Sequence, residues 1–129
     1  MKKDIDFSPV KNVHVVMCHE NDTWNVYLLN RNSQLLASIL ITSRGYGEKG
    51  DENQKTSTLR HSIPLLDTGE FALIEPISDT VFHLNNEYWV SYYIEEQIYD
   101  KKFIFVPDSI LRENMIEIPE MERKGVLHD

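Results

Sequence analysis

The stretch 85–106, NNEYWVSYYIEEQIYDKKFIFV, decides the fold class. Tyr88, Val90, Tyr92 and Ile94 fall on one face of an extended segment, with Trp89, Ser91 and Tyr93 on the other. Period-two alternation in aromatic and β-branched residues is the pattern of a strand. The polar break Glu95-Glu96-Gln97 supplies a short connection, and a second strand returns from Ile98. Pro107, which has no N–H to give a ladder, ends it. About half of the chain's rings sit in this hairpin, which places it at the middle of a sheet. Tyr88, Tyr92, Phe103 and Phe105 fill one side, leaving Trp89, Tyr93 and Ile104 for the other.

The same alternation recurs upstream. Residues 10–18 set Val13, Val15 and Met17 against His14, Val16 and Cys18, and residues 24–30 set Trp24, Val26 and Leu28 against Asn25, Tyr27 and Leu29. Turn residues, Glu20-Asn21-Asp22 and Asn30-Arg31-Asn32-Ser33, follow each. Residues 35–43 are apolar on both sides at Ile39-Leu40-Ile41, which reads as a central strand buried on both faces. Residues 44–53, RGYGEKGDEN, read as a flexible loop, rich in glycine and poor in apolar groups. Residues 55–63 form a strand stopped by Pro64, and 70–75 a short strand before Pro76. Ser78-Asp79 suit the cap of one helical turn, and 109–114 hold a short helix at most. The tail can anchor through Ile116, Ile118, Met121, Val126 and Leu127, and the second face of the hairpin is one surface for it to cover.

About seven strands with turn signals every ~8–12 residues indicate an all-β, antiparallel, immunoglobulin-like β-sandwich. A small barrel is the alternative. One domain spans 1–129, with a loose lead-in at 1–9 and a tail at 109–129. Its length suffices to bury a core without disulfides or metals.

Thirteen Lys plus Arg against 21 Asp plus Glu give a net charge of −8. That balance works against generic binding to nucleic acid or anionic membrane, both of which need a positive field. The apolar runs fall far short of the ~20 residues of a membrane span. MKKDIDFSPV has no apolar segment behind its lysines, so a signal peptide is not expected. Cys18 stands alone, which excludes an internal disulfide and fits a reducing, cytoplasmic setting.

Gly45-Tyr46-Gly47-Glu48-Lys49-Gly50 satisfies G-x-G-x-x-G. The dinucleotide fingerprint needs a helix after its third glycine, but strand-like residues follow, so a hairpin loop is the reading. Arg44, Lys49, Lys55 and Arg60 outnumber Glu48, Asp51 and Glu52, and with Tyr46 and His61 they could hold a phosphate or carboxylate. The competing reading is a solvated loop with internal ion pairs. His14 and Cys18 lie roughly 13 Å apart on an extended strand, too far to share an ion. No cofactor site, metal site or catalytic constellation emerges, and an enzyme is not expected.

The stretches TWNVYLLN (23–30), ILITSRGYG (39–47), KTSTLRH (55–61), LNNEYWVSYYI (84–94), YDKKFIF (99–105) and KGVLHD (124–129) span nearly the whole chain. In that order they resemble a family of small, largely uncharacterised bacterial proteins, some labelled phenylalanyl-tRNA synthetase alpha subunit. A class II synthetase core is an antiparallel sheet with flanking helices and an arginine-bearing motif for ATP, and this chain is too short to contain one. The resemblance therefore implies a grouping and no catalytic residues.

Two functions are compatible with these residues. The first is a non-catalytic module that binds a protein partner or itself, through the 44–61 region and the exposed face of the hairpin. The second is an accessory binder of tRNA or a phosphate-bearing ligand, through the cations of that region. Arg44, Tyr46, Lys49, Lys55, Arg60, His61, Trp89 and Tyr93 are the candidate contacts.

Overall fold

A computed structural model describes residues 9–49 and 52–129. In chain order the strands are β1 (Val13–Glu20), β2 (Thr23–Asn30), β3 (Leu36–Lys49), β4 (Glu52–Lys55), β5 (Leu59–Leu66), β6 (Phe71–Ile77), β7 (Asn85–Ile94), β8 (Gln97–Phe105), β9 (Ile116–Ile118) and β10 (Arg123–His128). The helical segments among the described residues are 3-10 turns only, at Asp79–Val81, Arg112–Asn114 and Pro119–Met121. The first turn is capped as expected, the Ser78 hydroxyl accepting from the Thr80 N–H at 3.3 Å.

The strands make two antiparallel, five-stranded sheets packed face to face, a β-sandwich. The first runs β6-β2-β1-β10-β9. The second runs β4-β3-β7-β8, with β5 continuing the β4 side of β3. Between them lies the main core, where Val15, Met17, Val26 and Leu28 meet Ile39, Ile41, Tyr88, Val90, Tyr92 and Phe103. The hairpin β7–β8 is central to that core, and its alternation holds through every pair from Asn86 opposite Phe105 to Ile94 opposite Gln97.

The third strand departs from its expected reading. Ser38 sits in the left-handed region at φ 50°. Three residue steps on β3, from Ala37 to Leu40, oppose two on β7, from Tyr93 to Ser91. This bulge shifts the phase of the alternation, so that Leu36, Ile39 and Ile41 all face inward. Leu40 is pushed outward and is 59% exposed, so the strand is buried on one face and not on both. Opposite Ser38 lies Pro64. β5 runs through it to Leu66, because Pro64 stands on an outer strand where its missing N–H breaks no ladder.

Within the stretch 44–53 the described residues are strand and not open loop. β3 continues to Lys49 and pairs with β4, with Tyr46 opposite Lys55 and Lys49 opposite Glu52. Gly45 serves close packing in this extension, since a Cβ there would stand 3.1 Å from the Thr56 side chain. Residues 50 and 51, like the lead-in apart from Pro9, lie outside the described residues.

The tail is ordered, but it covers a different surface from the one expected. β10 joins the first sheet beside β1, and β9 and the turn after it fold onto that sheet's outer side. There Ile118 and Met121 close a second cluster with Val16, Cys18, Tyr27 and Leu29. β10 reaches β1 at close quarters: a Cβ on Gly125 would stand 2.4 Å from a Val16 methyl, so only glycine fits. Burial pushes the Cys18 thiol up to about 11, which makes it packing and not a thiolate nucleophile.

Glu20 closes the rim of that cluster. Its carboxylate accepts from Tyr27 Oη at 2.6 Å, from Asn25 Nδ2 at 2.9 Å and from the Arg123 guanidinium, which lies over the Tyr27 and Phe71 rings. Partial burial alone would raise the Glu20 carboxyl. The hydrogen bonds from Tyr27 and Asn25, with the Arg123 charge, outweigh it and hold the group below its ordinary value. A depressed carboxyl stabilises the fold above its unfolded pKa of about 4.3, and that contribution disappears as pH falls through the folded value. The thermal midpoint of Glu20→Gln is therefore expected to fall less steeply below about pH 5 than that of the wild type. Parallel midpoint-against-pH curves would mean that this carboxylate contributes nothing to acid sensitivity.

Candidate functional site

Two places gather unusual side chains. The first is the outer face of the second sheet. Strand pairing lays its residues in rows: Arg44, Glu87 and Ile104; Arg60, Thr42, Trp89 and Lys102; Ser62, Leu40, Ser91 and Asp100; Leu65, Ala37, Tyr93 and Ile98. Leu40 and Leu65 are each 59% exposed, Trp89 43% and Tyr93 40%. Among the described residues, none covers them.

The large side chains here are held in place. Trp89 Nε1 donates to Asp100 Oδ1 at 2.5 Å, and Lys102 Nζ stands 4.5 Å from the Trp89 ring centre. Glu87 is the polar anchor of the face, only 3% exposed. It accepts from Arg44 Nε at 3.0 Å and from Tyr46 Oη at 3.3 Å, while the Arg44 guanidinium lies over the Tyr46 ring. Burial, then the Glu87 carboxylate, raises the Tyr46 phenol above its ordinary value.

The candidate contacts therefore divide. Arg44, Tyr46, Arg60, Trp89 and Tyr93 share this face, with Lys55 at its edge opposite Tyr46. Lys49 ends β3 farther along, opposite Glu52. His61 does not join them. It neighbours Arg60 on a strand, so it points to the opposite side, into the seam between the sheets.

That seam is the second place, and its central residue, Glu75, was not among the expected contacts. β6 carries a bulge at Ile74, since Val26 opposes Glu75 while Tyr27 opposes Leu73. The shift turns Glu75 inward beside Val26. Its Oε1 accepts from His61 Nε2 at 2.7 Å and from Ser43 Oγ at 2.8 Å, and its Oε2 from Tyr88 Oη at 3.0 Å. Burial, then the charge of Glu75, drives the Tyr88 phenol far above its ordinary value, so it stays a neutral donor. A cleft of about 360 Å³ opens above these groups, lined also by Gly45, Thr56 and Asn86. Ser43 gives its proton to the Glu75 carboxylate and not to the His61 imidazole, so the two do not form a Ser–His pair. What the geometry supplies is a clasp: one carboxylate of the first sheet ties three strands of the second.

Among the described residues no group of His, Cys, Asp and Glu has the arrangement of a metal site, and no helix is long and apolar enough to cross a membrane. In comparisons with known proteins, no family model, no curated protein and no solved structure matches this chain.

Proposed function

We propose that this protein is a non-catalytic, cytoplasmic binding module whose contact surface is the outer face of the second sheet. One observation carries the reading: the tail packs on the outer face of the first sheet, and among the described residues none covers the outer face of the second. The bare face holds Trp89, Tyr93, Leu40 and Leu65 on rigid strands, and aromatic anchors of this kind dominate contact energies. The cations of the 44–61 region on this face line one end of it, and Arg44 is already paired with the buried Glu87, which favours a protein contact over a phosphate pocket. The strand order, β1-β2-β6 against β5-β3-β7-β8, supports an immunoglobulin-like arrangement. The lone, buried Cys18 supports a reducing compartment. We also place the chain with the small bacterial proteins that its sequence resembles.

The test is capture with the wild type and with Trp89→Ser/Tyr93→Ser as parallel baits. Both positions are exposed, so the double variant is expected to fold and to lose whatever the wild type retains. Identical captures by the two baits would overturn this choice of face.

A further inference from the structure

We propose that the occupant of this face is a second copy of the same chain, docked face to face and antiparallel. The inference rests on the contact-face reading above and adds the identity of the partner. It comes from how charge is distributed along the strands. At one end of the face stand Arg44, Arg60 and Lys102, with Lys55 beside Tyr46. Glu87 lies among them, but it is buried and bonded to Arg44 and Tyr46; Glu48 is one row farther out. At the other end the β7–β8 connection presents exposed Glu95 and Glu96, and the chain leaves β5 through exposed Asp67. Asp100 lies between, already bonded to Trp89. The face is thus basic at one end, apolar in the middle and acidic at the other.

Such a surface complements itself. A two-fold axis lying in the contact plane, across the strands at the Leu40–Ser91 row, reverses the strand direction in the second copy. It sets the row of Trp89 over the row of Tyr93 of the second copy. The basic end then lies over the acidic end, twice, because a two-fold contact makes every pairing in duplicate. A chain carrying −8 overall repels copies of itself at random orientations, and this docking brings its cations against anions. Six residue steps at ~3.3 Å and four strands at ~4.8 Å give a footprint of roughly 400 Å² per copy. That is about 800 Å² in total, below the range of stable specific interfaces and in that of transient encounters, so the dimer is weak and concentration-dependent.

The experiment is sedimentation velocity on the full chain over a concentration series, at low and high salt. The mass is expected to rise from 15.1 kDa toward twice that value with concentration, and to fall back on adding salt. Trp89→Ser/Tyr93→Ser should weaken the association by more than about tenfold. Two charge variants then test the geometry: Arg60→Glu/Lys102→Glu makes both ends acidic, and Glu95→Lys/Glu96→Lys makes both ends basic. Each alone is expected to be monomeric, with near-ultraviolet dichroism unchanged, and their mixture to form a heterodimer. A mixture that stays monomeric, with both variants folded, overturns the antiparallel arrangement. If either fails to fold, the wild type decides, since association indifferent to salt overturns the charge argument. A wild type monomeric at every concentration overturns self-association, and the contact face still stands if capture depends on Trp89 and Tyr93. Capture that ignores both residues overturns the face itself.

Discussion

Replacing Glu75 with alanine is expected to destabilise the protein by about 2–5 kcal/mol, from the cost of leaving buried donors unpaired. The carboxylate is the common acceptor of Ser43, His61 and Tyr88. Tyr88 is fully buried and Ser43 nearly so, and among the described residues neither hydroxyl has another partner once the carboxylate is gone. Each orphaned hydroxyl costs about 1–3 kcal/mol, while His61, partly exposed, turns to water at little cost. Removing the donors as well, in Glu75→Leu/Ser43→Ala/Tyr88→Phe, should recover much of the loss, since an apolar seam has nothing left to satisfy. Urea unfolding measures both variants. A midpoint for Glu75→Ala equal to the wild type's would show that the clasp does not hold the sheets.

The second large effect separates two neighbours on β3. Ile39 is completely buried in the main core, and truncation to alanine is expected to cost about 2–5 kcal/mol through lost burial and the cavity left behind. Leu40, one residue on, lies on the bare outer face, and Leu40→Ala should stay within about 0.5 kcal/mol in the monomer. The contrast checks the bulge at Ser38. Comparable losses at both positions would mean that the phase shift is wrong and that both side chains are inside.

Sequence alternation revealed the sandwich because its strands are amphipathic. Val13, Val15 and Met17, or Tyr88, Val90 and Tyr92, have a period that local geometry imposes, and no tertiary contact is needed to see it. It did not reveal where that period slips. The bulges at Ser38 and Ile74 arise from pairing with neighbouring strands, and they decide that Leu40 faces out and Glu75 faces in. The clasp was hidden for the same reason, since its members come from β3, β5, β6 and β7, brought together only by the fold. One part was legible and went unread: alternation alone puts Arg60 and His61 on opposite sides of β5. Residues 44–49 read as a loop because a glycine packed closely on Thr56 looks, in one dimension, like a glycine of a loop.

The pairing of β1 with β10 has a consequence for how the chain comes to be folded at all. His14 donates across that seam to the carbonyl of His128, 114 positions away, so the pairing waits until both distant strands are present. Until then Val16, Cys18, Tyr27 and Leu29 have no lid, and β1 offers a bare edge to any passing strand. Closing so long a loop is entropically slow, so a nascent or C-terminally shortened chain spends its most aggregation-prone interval with half the sandwich unsealed. The hairpin β7–β8, whose strands are neighbours in the chain, is free to form before β10 pairs with β1.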